Sequence, residues 1–368
     1  MSYKTLRIGL LVLAATVVHA GYVLAGTLYV GPQSCGPNVL HYATIQGAVN
    51  AANPSDVIMV CPGTYPEQIV ISAPVTIRGF VSGTSGAAII KVPANGLVPN
   101  IVMTDAGMVA AQIAAKNTSG VKLYNLTIDG TGGGCATNIG ANYTAALALS
   151  NVASPDPTWL TATLNQMSIQ NHNGGCGRSA GILSEDSYIS VEANSIYSVE
   201  LYAVSLVRGM GKVLSNTIEN CTGGAVYVAN VTGATVQSNT MASDAFGVRI
   251  HNGNNVNVWS NTMGPWVGHG VFATSSTGTW VDKNRISATW VGVSLDGSQN
   301  DRVTANTIVR SQAYGIGDKN SRGANVVTGN TLNGSPFGIF FDASTTGDQI
   351  ASNTFLNVVT TMTSTPIW

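Results

Sequence analysis

Apolar residues recur in the second half of this chain in columns with a period of 22 to 24 residues. One column runs Val191, Val213, Val236, Val258, Val281, Val303, Val327 and Ile350. A second follows it at Ile196, Ile218, Met241, Met263, Ile286, Ile308, Leu332 and Phe355, and a third reads Ile182, Val204, Val226, Val248, Val271, Val293, Ile316 and Ile339. Between the first two columns stands an asparagine, at Asn194, Asn216, Asn239, Asn261, Asn284, Asn306, Asn330 and Asn353. Apolar and polar residues alternate around these positions, as in Gly292-Val293-Ser294-Leu295-Asp296, which gives a strand one dry face and one wet face. Each period therefore predicts three short strands separated by polar turns.

Three such strands bury little by themselves, but wound into a coil and stacked on identical coils they enclose continuous apolar rows. The spacing predicts about eight coils over residues 179–358, each advancing roughly 4.8 Å. Asparagine tolerates left-handed backbone, so its column is expected at a bend, where stacked amides could form a ladder. Leucine-rich repeats share the period, yet the columns here are Val, Ile and Met, and no helix-forming stretch fits within one repeat. An all-β parallel β-helix is the expected fold. Before the regular coils, the stretch Tyr42 to Ala52 reads as a short capping helix with Ile45, Val49 and Ala52 on one face. It would cover the open end of the tube.

This organisation divides the chain into a signal peptide (1–25), an N-terminal cap with the first coils (26–92), irregular coils with loop insertions (93–178), regular coils (179–358) and a C-terminal tail (359–368). Lys4 and Arg7 precede an apolar run from Ile8 to Val18, with cleavage expected after Ala20 or Ala25. No stable membrane span is expected after cleavage, because the run is short. Charged residues make up only 9% of the chain and the net charge is -1, which leaves no electrostatic footprint for nucleic acid. The five cysteines suit an oxidising compartment, with Cys35–Cys61 and Cys135–Cys176 as the expected pairs and Cys221 left over. A secreted, periplasmic or cell-surface monomer is expected.

The segment Thr44-Ile45-Gln46 through Cys61-Pro62-Gly63-Thr64-Tyr65 to Glu67 resembles the N-terminal cap of secreted right-handed parallel β-helix proteins of the pectate-lyase-like superfamily. The periods carrying Tyr314-Gly315-Ile316 and Phe246-Gly247-Val248 resemble the periplasmic copper-protein and carbohydrate-hydrolase-like repeats of that superfamily. The resemblance covers most of residues 27–358 and implies a right-handed, single-stranded helix. It is specific for fold and weak for chemistry, since such proteins include lyases, hydrolases, epimerases, esterases, adhesins and non-enzymes.

Individual enzyme signatures are incomplete. Gly268-His269-Gly270 looks like the glycine-flanked histidine of polygalacturonases, but the paired carboxylates that glycoside hydrolysis needs are missing. His269 instead falls in a column with Tyr202, Phe246, Tyr314 and Phe337, and is expected to be one ring of a stack. Asp156-Pro157-Thr158-Trp159 lacks the histidine and second acid of the mannuronan epimerase motif, and no pectin methylesterase set is found.

The remaining candidate is the outer face of the third strand. Alternation places Leu183, Ser205, Tyr227, Arg249, Phe272, Ser294, Gly317 and Phe340 in one outward row, and Glu185, His251, Asp296 and Asp342 in a second. Arg249, His251 and Asp296 are the expected catalytic groups, with Tyr227, Phe272 and Phe340 as stacking platforms for sugar rings. Arginine pairs well with a uronate carboxylate. Asp296, Asp318 and Asp342 follow the same strand in consecutive coils, and could share Ca²⁺ if all three faced outward. The expected partner is a polysaccharide or cell-surface glycan. The function expected is binding, with lyase-like cleavage or modification of a polyuronate; the alternative is a non-catalytic structural, adhesive or polymer-binding module.

Overall fold

The computed structural model describes residues 25–80, 86–153, 162–265, 268–321, 323–342, 345 and 347–364. The signal segment up to residue 24 and the Asp156–Trp159 motif lie outside the described residues. The chain winds into a right-handed parallel β-helix, and among the described residues its strands form three sheets of 14, 12 and 13 strands. Within each sheet, successive strands pair in parallel with their counterparts in the adjacent coil. The antiparallel exception among the described residues is Ile101–Met103, which folds back on Gly107–Thr118.

The three apolar columns become three rows in register. Val258 pairs with Val281 in the first sheet, Met263 with Ile286 in the second and Val248 with Val271 in the third. All six side chains have no exposed surface. Because neighbouring coils present the same residue type at the same place, β-branched side chains pack against their own kind along the whole tube.

The asparagines line up as a buried ladder. Asn216 Nδ2 donates to Asn239 Oδ1 at 2.9 Å, the Asn216 backbone N–H donates to the same oxygen at 2.9 Å, and the pattern repeats from Asn194 to Asn353. The bend itself belongs to a different residue from the one the sequence suggested. The left-handed backbone is adopted by the position before each asparagine, including Ala193, Ser215, Ser238, Ser260, Lys283 and Ala305, with φ between 52° and 55°. The amide is thereby left at an ordinary conformation and turned inside, where its donors and acceptor meet the next coil.

The capping helix spans Ile45–Ala51, shorter than the expected Tyr42 to Ala52, because Tyr42 pairs in the short strand His41–Tyr42. Thr44 Oγ1 accepts the Gly47 N–H at 3.0 Å, and the Glu67 carboxylate accepts the Ile45 and Gln46 N–H groups at 2.8 and 2.9 Å. Those bonds satisfy donors that no helical carbonyl can reach. Both expected disulfides form, Cys35–Cys61 with Cα atoms 5.9 Å apart and Cys135–Cys176 at 5.6 Å, while Cys221 is buried and free.

On the third sheet, alternation breaks at one point in each coil. Gly292 and Val293 both face the core, and a Cβ on Gly292 would stand 2.6 Å from Ile308 Cγ2. Two consecutive inward residues leave the residues on either side, such as Val291 and Ser294, both facing outward. The outer face consequently carries two columns rather than one. The N-terminal part of this face is covered. Ile101, Met103 and Ala106, from the antiparallel hairpin, pack on Ala114, Ala145, Ala148, Ala180 and Leu183. Small side chains in both outward columns let the hairpin lie close against the sheet.

Candidate functional site

The outward row expected from the sequence exists in the expected register: Ser205 pairs with Tyr227, Tyr227 with Arg249, Arg249 with Phe272, Phe272 with Ser294 and Gly317 with Phe340. Leu183 and Glu185, placed outward by the same alternation, do not reach solvent, because the hairpin lies over them. The second column adds rings beside the first. Tyr202 stacks on Tyr227 with centroids 4.9 Å apart, Phe246 stacks on His269 at 5.2 Å and on Phe272 at 5.9 Å, and Tyr314 tilts against Phe340 at 5.0 Å.

These rings border two hollows on one face. The first, of about 310 Å³, is lined by Tyr143, Tyr202, Ser205, Tyr227 and Arg249, and is bounded by Asp105 and Ala106 of the hairpin turn. The second, of about 300 Å³, is lined by His269, Phe272, Trp290, Tyr314, Lys319 and Phe340. Arg249 stands at the divide. Its guanidinium lies 5.3 Å from the Phe246 ring centroid and 5.9 Å from that of Tyr227, and Nη1 donates to the Tyr202 hydroxyl at 3.1 Å. Aromatic faces hold the cation in place without neutralising it, so its charge remains directed at the groove.

His269 is a member of the ring stack, as expected, but that does not remove it from the surface. The inward turn of Gly270 points His269 into the second hollow. Burial holds its imidazole below the usual histidine range, and the positive charges of Lys319 and Arg249 push it further the same way. His251 lies at the opposite end of the neighbouring strand, exposed, with Nδ1 3.0 Å from Thr274 Oγ1. The signal that would have revealed His269 was the break in alternation at each coil glycine. Burial also raises the Tyr227 hydroxyl above its ordinary range, against the opposing charge of Arg249, so the phenol stays protonated at neutral pH.

The three-aspartate arrangement expected to share Ca²⁺ is not assembled. Asp318 pairs with Leu295, an inward position, and is 1% exposed. Ser321 Oγ donates to one of its carboxylate oxygens and Asn325 Nδ2 to the other, the latter at 3.0 Å. Asp296 is paired with Lys319 at 3.2 Å and accepts from Asn320 Nδ2, while Asp342 accepts the Asn320 backbone N–H at 3.0 Å. The register places Asp318 one residue earlier than its neighbours, and one residue on a strand exchanges outside for inside.

Residues 189–367 match a family model described as NosD, periplasmic copper-binding protein. The match spans the regular coils. Structural comparison extends the likeness to nearly the whole chain. The mannuronan C-5 epimerase AlgE4 A-module of Azotobacter vinelandii superposes with a TM-score of 0.63 at 13% identity, over 87% of this chain and 92% of that one. The GH136 lacto-N-biosidase of Eubacterium ramulus gives 0.65 at 13% identity, over 90% and 68%. The Dettilon tailspike protein gives 0.57 at 14% identity, over 90% and 68%. At these identities the likeness shows the fold, and it agrees with the resemblance of the cap and the repeats. No curated protein sequence matches.

Among the described residues, the donor set does not fit the copper in that model's description. Among the described residues, no group of three His, Cys, Asp or Glu side chains is placed to hold a metal ion. His172 is buried in the second sheet, His251 and His269 stand at opposite ends of adjacent strands, and the Met241 and Met263 side chains are sealed in the core.

Proposed function

We propose that this protein is exported and binds an acidic polysaccharide along the outer face of its third sheet. The observation that carries this reading is the ring-lined groove with Arg249 at its divide. Sugar rings present apolar faces that stack on Tyr227 and Phe272, while Phe340, only 6% exposed, backs the second hollow, and a uronate carboxylate forms a charge-assisted pair with a guanidinium. The two disulfides agree with an extracytoplasmic site of action. Among the described residues, no helix is long and apolar enough to cross a membrane. The proteins named in the structural comparison include a mannuronan epimerase and a lacto-N-biosidase, which supports a carbohydrate partner.

A lyase-type step on the same groove is favoured by one further observation: His269, held neutral by burial, faces the groove near Arg249 and Lys319. Arg249 neutralises the carboxylate, because its planar guanidinium pairs with two carboxylate oxygens at once. The imidazole then takes the proton from the carbon α to that carboxylate. The electron pair forms a carbon–carbon double bond, the glycosidic oxygen on the β carbon leaves, and the imidazolium returns the proton to it. Titration calorimetry against a panel of polyuronates and neutral glycans tests binding, and ultraviolet absorbance of unsaturated products tests turnover. Equal affinity for neutral and acidic polymers removes the uronate assignment. Binding without absorbance change leaves a non-catalytic glycan-binding module.

A further inference from the structure

The groove is closed at one end. On its N-terminal side, both outward columns of the third sheet are small: Ala111, Ala145 and Ala180 in one, Ala114 and Ala148 with Leu183 in the other. The hairpin strand Ile101–Met103 lies on top of them. Large rings begin in the two coils beyond the hairpin, with Tyr202 in one and Tyr227 in the next. The turn of the hairpin is fastened to the sheet by Glu185, which is 1% exposed although it points to the outer face. One carboxylate oxygen accepts the Ala106 N–H at 2.7 Å, and the other accepts the Asp105 N–H at 3.1 Å. Arg208 clamps the same turn from the side, pairing with Asp105, Glu185 and Asp186. A buried carboxylate that satisfies two turn N–H groups fixes the backbone far more firmly than an exposed ion pair. The hairpin is therefore a wall, and Asp105 and Ala106 form the end of the first hollow. At the far end, among the described residues, the second hollow is lined only by the coils themselves.

From this asymmetry we infer that the groove recognises the end of a polysaccharide chain and not its interior. The inference rests on the glycan-binding reading and specifies it. A polymer threaded along the third-sheet face would have to continue through the space that Ile101, Met103 and Ala106 fill. A terminal sugar instead stacks on Tyr227, which the buried Tyr202 backs, against the hairpin, and the rest of the chain leaves past Arg249 toward Phe340.

The test is the stoichiometry of binding to oligouronates of defined length and to long polyuronates, measured by calorimetry and light scattering with the full mature protein. End recognition gives one protein per chain at every length, and affinity per mole of chains that stops rising once the oligomer fills the groove. A number of bound proteins that grows in proportion to polymer length overturns the inference and leaves the glycan-binding reading intact. No binding to any glycan overturns both. A double variant, Glu185→Ala with Arg208→Ala, frees the hairpin turn and is expected to bind several copies per long chain. If circular dichroism shows that this variant does not fold, the wild-type stoichiometry still decides.

Discussion

Individual side chains in this protein acquire their roles from which way a single residue faces. Arg249 is held by two aromatic faces and the Tyr202 hydroxyl, so removing it takes the charge from the groove while leaving the rings. Arg249→Ala is expected to weaken binding of a uronate oligomer at least tenfold, measured by calorimetry, since charge-assisted pairs contribute about 1.5–3 kcal/mol. His269→Phe keeps the stack on Phe246 and should preserve binding while abolishing the formation of unsaturated products. Retained turnover in that variant would remove His269 as the proton acceptor. The asparagine ladder makes a second residue-scale prediction. Asn261 Oδ1 accepts both the backbone N–H and the amide of Asn239 at 2.9 Å, and its own amide donates to the Val236 carbonyl at 2.9 Å. Asn261→Ala strands those buried groups together and should cost on the order of 3 kcal/mol in chemical denaturation. A loss below about 1 kcal/mol would show that the ladder is replaceable by water.

At the scale of elements, the inward glycine of each third-sheet strand decides the shape of the face. It lets two successive residues turn to the core, and this places a second column of rings on the outside. Gly292→Ala would set a methyl group 2.6 Å from Ile308 Cγ2 and closer still to the Gly315 carbonyl. The expected cost is about 1–3 kcal/mol of stability, with disorder of the groove around Val291 and Ser294. Gly297, with no atom near its Cβ position but a φ of 62°, should lose less on mutation to asparagine, which tolerates left-handed backbone. Thermal midpoints of the two variants measured side by side check this ordering. The hairpin Ile101–Met103 acts on the same face by covering rather than by shaping it, and the alanine rows beneath it are the complement of the ring rows beyond it.

Across the whole molecule, the core is apolar in its rows and polar at its corners, and buried acids stand at the corners and at one inward strand position. Asp244, Asp301 and Asp318 are each pushed up to about 7, chiefly by burial. A carboxyl whose folded pKa lies above its unfolded value of 3.8 contributes stability that is complete below that value. The contribution is lost as pH rises through about 7. His172, depressed to about 4 by burial, acts in the opposite sense between its ordinary 6.5 and that value. Asp244, Asp301 and Asp318, with Glu185 raised in the same direction, outweigh the depressed His172 and His269, so stability falls from about pH 4 to pH 7. Urea midpoints measured across that range should decline, and Asp301→Asn should flatten the slope by about a third to a half. A rising midpoint would mean that these carboxylates are ionised in the folded protein.

The sequence by itself determined the period, the three inward columns, the asparagine line and the order of the outward row from Ser205 to Phe340. Each of these is local or repeats at a fixed interval, and a solenoid converts interval into neighbourhood with no further information. Tertiary structure decided what interval cannot express. The left-handed bend fell on the residue before each asparagine, freeing the amide for the ladder. His269 reached the groove because a glycine, needing room against Ile286, faced the core beside it. Glu185 and Leu183 were buried by a hairpin that the repeat does not contain. A segment outside the period can be placed only by its packing, and that packing closes the groove.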